Sequence, residues 1–364
     1  MVETAILQAA QATTKPKSMI VRPFRGNDAA AWDTFVQGSP SATFCHLNGW
    51  GKVIERVWNH PAHHLLAEEQ GVIKGVLPLF HIKSRAFGSM LISTPNGVYG
   101  GIAADDPVVR QALLDDAKKL ATSLQVDFLE FRNAFAANEI SDPELHRKDL
   151  YFAFEHPIST DEDALMKSFP RDVRTMIRKG SKNELTSQLG REELLDEFYE
   201  VYAMSLRNLG TPVFPKRLFA EFLREFPQHS DILLIRQGDK VAGGVMSFYF
   251  REAVMPYYGG AYVEFYRAGI NNFMYWELMR SAAARGFTRF DFGRSKTGTG
   301  AYEFKRGWGM QMNALPYQFY LVRAKEMPNL NPTNPKYEMM INTWKRLPLS
   351  VTKVLGPRIV KYLL

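Results

Sequence analysis

The chain has a single cysteine, Cys45, in 364 residues. That excludes an internal disulfide framework and a cysteine-rich metal centre, and it points to a reducing compartment. Cys45 itself reads as a small buried apolar residue rather than a nucleophile. No apolar run is long enough to span a bilayer, and no basic segment followed by an apolar core opens the chain, so a cytoplasmic protein is expected. There is no nucleotide P-loop: Gly293 and Gly298 have its spacing, but Thr299 and Gly300 stand where Lys and Ser/Thr are required. No Ser–His–Asp arrangement is evident. His60, His63 and His64 are interrupted by Pro61 and lack an acidic or Cys partner, so no metal site is expected. Acidic residues are in deficit, 38 against 45 basic ones, for a formal charge of +7. That balance favours phosphorylated substrates, an anionic membrane surface or nucleic acid. Nucleic acid is the weakest of these, because the aromatics fall at helix or strand periodicity instead of interleaving with basic residues.

An apolar content of 46% with 13% aromatics describes a globular chain long enough for two cores. A repeat spaced by roughly 160 residues sets the architecture. Residues 64–82 and 231–250 each read as a hairpin, around Gly71 and Gly238. Each precedes a strand bearing Tyr-Gly-Gly, at residues 99–101 and 258–260, and then an amphipathic helix, 107–125 and 271–286. Both copies return to a strand, 126–133 and 287–295. Strand, strand, strand, helix, strand, used twice, predicts an α/β (α+β) protein of two tandem domains, each a mixed sheet flanked by helices. The division is residues 1–19 as a disordered leader, 20–158 and 159–325 as the two domains, and 326–364 as a Pro/Asn-rich linker with a basic amphipathic tail. Helices are expected at 169–180, 191–210 and 215–226, the second ended by Gly210 with Pro212 behind it. The tail, with Trp344 and basic residues among Leu, Val and Ile, has two readings: an amphipathic anchor on the inner membrane, or a segment packed on the second domain.

The most chemically loaded stretch is residues 290–309, FDFGRSKTGTGAYEFKRGWG. A strand runs into a glycine-rich loop carrying Arg294, Lys296, Lys305 and Arg306, which suits an anionic group approached closely by backbone N–H. A basic surface hairpin is the plain alternative. A second basic feature is the stripe Arg171, Arg174, Arg178 and Lys179, which shares one helix face.

The element order is that of the GNAT acyltransferase fold, and two such units in tandem resemble the FemAB family of peptidoglycan aminoacyltransferases. Gly300, Tyr302, Phe304, Lys305, Trp308 and Gly309 match its C-terminal signature, and FCHLNGW (44–50) its opening run. Arg207 and Gly210 look like its Thr-x-x-Arg-x-Gly segment. The motifs PRDVRTMIRKGSKN, RNLGTPVFPK, PYYGG, MYWELM, DFGRSKTGTG and FKRGWG resemble the FemAB-like branch associated with exosortase and PEP-CTERM exopolysaccharide loci. The chain departs from the family at Ile54, where a lysine is usual and only Lys52 or Arg56 could substitute, and at Asn96–Gly97, where an Arg-Gly-Pro segment is replaced.

The resemblance implies amide formation on an envelope precursor, phosphorylated or lipid-linked, with acyl-CoA or aminoacyl-tRNA as donor and no tightly bound cofactor. tRNA would act as donor only. Such transfer needs a neutral amine, an activated ester or thioester, and a stabilised oxyanion. Lys305 is expected to neutralise phosphate or the oxyanion, Asp291 to accept the amine proton, and Tyr258 to donate into the cleft. Arg294, Lys296, Arg207, Arg174, Arg178, Tyr99 and Trp308 are the substrate-binding candidates, with a packing role open for either Tyr99 or Tyr258. A CoA pyrophosphate would fall on the turn YRAGINN, at Arg267 and Gly269. A non-catalytic scaffold that binds an anionic precursor is the alternative of a different class.

Overall fold

The computed structural model describes residues 19–85, 87–328 and 335–362. The expected leader lies outside this range except for Met19, which opens the strand Met19–Pro23, and part of the Pro/Asn-rich linker lies outside it as well.

The duplicated order is present in outline, but Tyr99–Gly101, expected on a strand, lies in a loop between the strands Gly88–Ile92 and Ala103–Ala104, with an isolated bridge from Gly100 to Asn133. In the second half, Ser230–Gln237 and Lys240–Phe250 pair antiparallel around Gly238, whose φ of 57° suits a residue without Cβ. Ala253–Ala261 follows, then the helix Ile270–Ala284, then Arg289–Lys296. In the first half the long second strand is broken: Pro78 separates Val72–Leu77 from Phe80–Ser84, and the two pieces lie in different sheets. Proline removes a ladder donor, which accounts for the break. Of the acids in residues 103–107, Asp106 starts the next helix, Pro107–Ser123, its side chain accepting from Val108 N, while Asp105 accepts from the Ser39 hydroxyl at 2.8 Å.

The sheets exchange strands across the boundary placed at residue 158. Tyr151–Pro157, expected in the first domain, lies between Arg289–Lys296 and Gln311–Ala314 in the seven-stranded second sheet. Tyr317–Leu321, expected in the second, pairs with Phe128–Arg132 and Leu145–Lys148 in the first. Periodicity identifies such strands but not their partners, because either sheet offers a face for the same alternating pattern.

An aromatic core also crosses the boundary. Phe44 stacks on Phe248 with ring centroids 4.8 Å apart, and Trp50 lies 4.7 Å from Phe222. Fully buried aromatics of this size contribute on the order of 2–3 kcal/mol each, so the two halves behave as one body.

The C-terminal segment packs on the protein. Its helices Pro335–Arg346 and Leu349–Val360 bury Trp344, Thr352, Gly356 and Val360. A Cβ on Gly356 would stand 2.8 Å from Val213 N and O, and His60 Nε2 lies 3.1 Å from the Lys361 carbonyl. The opposite face leaves Met339, Met340, Val354 and Leu355 exposed. Among the described residues no helix is long and apolar enough to cross a membrane.

The strand exchange predicts that residues 20–158 produced alone will not unfold cooperatively, because Phe128–Arg132 would lose its neighbour Tyr317–Leu321. A thermal melt by circular dichroism checks this; a sharp transition for the fragment would show that the exchange is dispensable.

Candidate active site

Ala253–Ala261 and Arg289–Lys296 pair in parallel only at Ala253–Arg289 and Val254–Phe290, and then diverge. The divergence opens a cavity of about 60 Å³ bounded by Pro256 and Tyr257 on one strand, by Asp291 to Arg294 on the other, and by Val98 and Tyr99 from the first domain. Lys305 closes it.

A β-bulge shapes the second wall. Register against Tyr151–Pro157 shifts between Asp291 and Arg294, and Gly293 takes a φ of 68°. Within the bulge the Gly293 N–H donates to Asp291 Oδ1 at 2.8 Å. The same oxygen accepts from the Tyr99 hydroxyl at 2.8 Å. Asp291 is almost wholly buried, and desolvation raises its carboxyl above the usual range despite these bonds and the nearby charges of Arg289 and Lys305. Burial, reinforced by the Asp291 charge, holds the Tyr99 phenol protonated. A raised carboxyl beside a cavity is the property expected of a proton acceptor that later returns its proton.

Lys305 lies on a helix, Gly300–Arg306, and not on the loop or strand start expected of it; the Thr299 side chain caps that helix, accepting from Tyr302 N at 3.3 Å. Its ammonium donates to the carbonyls of Phe292 (2.5 Å), Gly293 (3.2 Å) and Arg294 (3.1 Å), and stands 5.1 Å over the Phe292 ring. All three donors are thereby used on the bulge, while the charge stays at the cavity edge. Burial pulls Lys305 down to about 7; the Asp291 charge acts in the opposite sense and the Arg294 charge in the same sense as burial.

Arg294 donates to the Tyr317 hydroxyl at 3.1 Å and lies over the Tyr151 ring at 4.6 Å, so a cation held between two rings forms the rim. Tyr151 and Tyr317 belong to the two exchanged strands. Lys296 ends the strand outside the cavity lining.

Other expected residues fall elsewhere. Tyr258 points away from the cavity into the aromatic core among Tyr202, Phe219 and Phe222, and its hydroxyl has no hydrogen-bond partner among the described residues. Alternation along the strand gives the cavity position to Tyr257, whose hydroxyl accepts from Val98 N at 2.6 Å and donates to the Asn96 carbonyl at 3.3 Å. Trp308 is a core residue against Phe169 and Phe292, not a surface for substrate. Arg207 donates to the Leu347 carbonyl at 2.9 Å and so anchors the C-terminal segment. Arg174 and Arg178 lie on the helix Arg171–Lys182, half-buried and exposed respectively, away from the cavity lining. Lys52 and Arg56, the stand-ins considered for the lysine absent at Ile54, pair with Glu225.

At the expected pyrophosphate turn the glycine already faces a neighbouring helix. Gly269 has a φ of 87°, and a Cβ there would stand 2.4 Å from the Met176 carbonyl, so the glycine is needed for packing against Arg171–Lys182. Arg267 is exposed on the preceding turn.

Two contributors were missed. Tyr257 was overlooked because Tyr258, its neighbour, matched the repeat. Arg132, fully buried, pairs with Glu130 at 2.9 Å and donates to the carbonyls of Thr94 and Gly97, bracing the loop that delivers Val98 and Tyr99. Its position in the strand after the first long helix was its only signal in the sequence.

Residues 167–306 match the family model described as acetyltransferase (GNAT) domain. The structure is similar to that of FemX, with a TM-score of 0.68 at 15% identity over 88% of this chain and 100% of that one. It is also similar to L-PGS from Bacillus licheniformis, with a TM-score of 0.54 at 12% identity over 90% and 96% of the two chains. A tandem GNAT protein from the clavulanic acid biosynthesis pathway aligns with a TM-score of 0.51 at 10% identity, over 85% and 100%. No curated protein matches the chain. The fold is two tandem GNAT-like domains, and the acetyltransferase-domain match in the second supports an acyltransferase.

Two outcomes follow from the local physics. Gly269→Ala will destabilise the protein by about 1–3 kcal/mol through left-handed backbone strain, and by more through the Met176 clash, seen as a lower urea midpoint. An unchanged midpoint would show that the turn is not packed as described. For Lys305, the folded value near 7 lies below the ordinary 10.5, so between those values the unfolded chain holds more protons and stability from this site rises with pH. The wild type should therefore gain stability relative to Lys305→Met as pH is raised from about 7 to about 9.5; a constant difference would refute the depressed value.

Proposed function

We propose that this protein forms an amide by transferring an acyl or aminoacyl group to an amino group of a cell-envelope precursor, of exopolysaccharide or peptidoglycan type. The observation that carries this is the buried Asp291, held by Tyr99 from the other domain, on a cavity where two parallel strands part.

The chemistry runs as follows. The acceptor arrives as an ammonium and gives a proton to the Asp291 carboxylate. The free amine attacks the acyl carbonyl, forming the C–N bond and an oxyanion. Lys305, fixed on the bulge, supplies positive potential for that oxyanion without donating a bond it has already used. Collapse breaks the bond from the acyl carbon to the donor's oxygen or sulfur; Asp291 returns its proton to that leaving atom, and the surplus proton on the new amide nitrogen passes to solvent. Arg294, clamped between Tyr151 and Tyr317, favours an anionic donor or precursor at the rim.

The motif resemblance supports the FemAB-like branch associated with exosortase and PEP-CTERM loci. A lipid-linked or phosphorylated precursor agrees with the net charge and with the exposed Arg178 beside Arg174. Peripheral contact with the inner membrane is supported by Met339, Met340, Val354 and Leu355, which the packed tail leaves exposed near Lys345 and Arg358. The acetyltransferase match favours acyl-CoA as donor, which gives N-acylation of an exopolysaccharide amino sugar as the second reading. The closed turn at Gly269 weighs against pyrophosphate at the helix start and leaves aminoacyl-tRNA as the other donor, used as substrate only.

Incubating the protein with labelled acetyl-CoA, longer acyl-CoAs and aminoacyl-tRNA against lipid-linked saccharide extracts tests the reading, and transfer from none of them would favour a binding scaffold. With the productive donor, Asp291→Asn should lower kcat on the order of 10²–10⁴-fold with little change in donor KM. Lys305→Ala should lower kcat as well. Unchanged turnover in both variants would remove this site from the reaction.

A further inference from the structure

Tyr99 also lines a second and larger chamber, of about 350 Å³, whose lining does not include Lys305. Its walls are residues 134–136 of a first-domain loop and residues 312–314 of the strand Gln311–Ala314; its floor is Tyr99, Ala153 and Glu155. The volume corresponds to on the order of ten water molecules, enough for a body the size of an amino sugar or amino acid. The walls are mostly alanine, phenylalanine and methionine, and among the described lining residues Glu155 carries the only full charge.

The two chambers share one lining residue. Tyr99 lines both, and its hydroxyl bonds Asp291 on the reaction side. Glu155 is the register partner of Asp291 on the adjacent antiparallel strand, so the two carboxylates share a sheet face with Cβ atoms about 5 Å apart. Lys305 and Arg289 both act on Asp291, but Glu155 shares its bonded cation. Arg289 bonds Glu155 at 2.6 Å and also Glu252 at 3.0 Å, so one guanidinium serves two carboxylates before Asp291 is counted. Glu155 accepts from Asn313 as well, at 3.3 Å, which leaves lone pairs for a further donor.

We infer that this chamber binds the amine acceptor, a primary ammonium on a small uncharged body, with Glu155 as its first carboxylate and Asp291 as the second, one strand further in. The inference rests on the proposed amide-forming reaction and assigns its acceptor side. The donor then approaches through the gap between Ala253–Ala261 and Arg289–Lys296, from the other side of Tyr99, so that the two substrates meet at the phenol without sharing an entrance. The apolar walls exclude a second charge on the acceptor near its amine, and they select a neutral ring or chain at that end.

The test is a ligand-observed NMR titration of the full chain with glucosamine and no acyl donor, using N-acetylglucosamine as the uncharged control. Saturable binding of glucosamine alone is expected. Glu155→Gln should weaken it at least tenfold, and Ala314→Trp, an exposed edge position that fills the mouth, should do the same with an unchanged thermal midpoint. If Glu155→Gln does not fold, Ala314→Trp decides. No binding of glucosamine, equal binding of N-acetylglucosamine, or wild-type affinity in both variants would overturn the assignment. Because no donor is present, failure of the acyl-transfer reading leaves this result intact, and a vacant chamber leaves that reading to stand on its own assay.

Discussion

One hydrogen bond ties the candidate site to the way the two halves are assembled: the Tyr99 hydroxyl of the first domain donates to Asp291 of the second, where both are buried. A carboxylate removed from water is costly, and a bond to a charged acceptor returns about 1.5–3 kcal/mol only if the donor is held in place. Holding it requires the loop of residues 94–101, and that loop requires the Arg132 guanidinium on its carbonyls. The Asp291 carboxylate thus depends on a fixed relation between domains. A hinge at this boundary would open the site by breaking the bond.

The exchanged strands and the aromatic core supply that fixed relation. Tyr151–Pro157 and Tyr317–Leu321 each complete the other half's sheet, and each contributes a ring to the clamp on Arg294. The same devices that make the halves inseparable therefore shape the cavity rim. Lys305 serves a related end from within the second domain. Its three carbonyl contacts hold open the bulge on which Asp291 and Gly293 sit, so its first effect is to position the wall and its second is to lend charge to the cavity. This distinguishes it from Lys296, whose place at the strand end lies outside the lining.

Much of the fold was legible because hydrophobic periodicity and glycine placement are local. The duplicated order of elements, the hairpin turns at Gly71 and Gly238, and the helix stop at Gly210 all follow from residues close in sequence, and Gly210 takes the left-handed φ that its position implies. Asp291, Arg294, Lys305 and Tyr99 were legible as candidates because they sit at strand ends or in a motif. Tyr258 and Trp308 were misplaced for a common reason: a motif identifies a strand or helix but not which way its side chain faces, and one residue of alternation moved the cavity position to Tyr257. Arg207 was misplaced because its partner, the Leu347 carbonyl, is 140 residues away. The glycines of residues 290–309 suggested a loop where Thr299 caps a helix.

By itself the sequence determined the class of fold, the duplication and the set of polar residues available for chemistry, because these depend on pattern and composition within short windows. Only the tertiary structure decided which strands completed which sheet, which tyrosine met Asp291, and what Gly269 packs against. Those outcomes depend on contacts between segments more than a hundred residues apart, or on approaches of 2–3 Å between backbones, and neither leaves a trace in local periodicity. The cavity belongs to this second group, since its walls are set by where two strands part, by what the other domain inserts between them, and by the helix that brings Lys305 over the bulge.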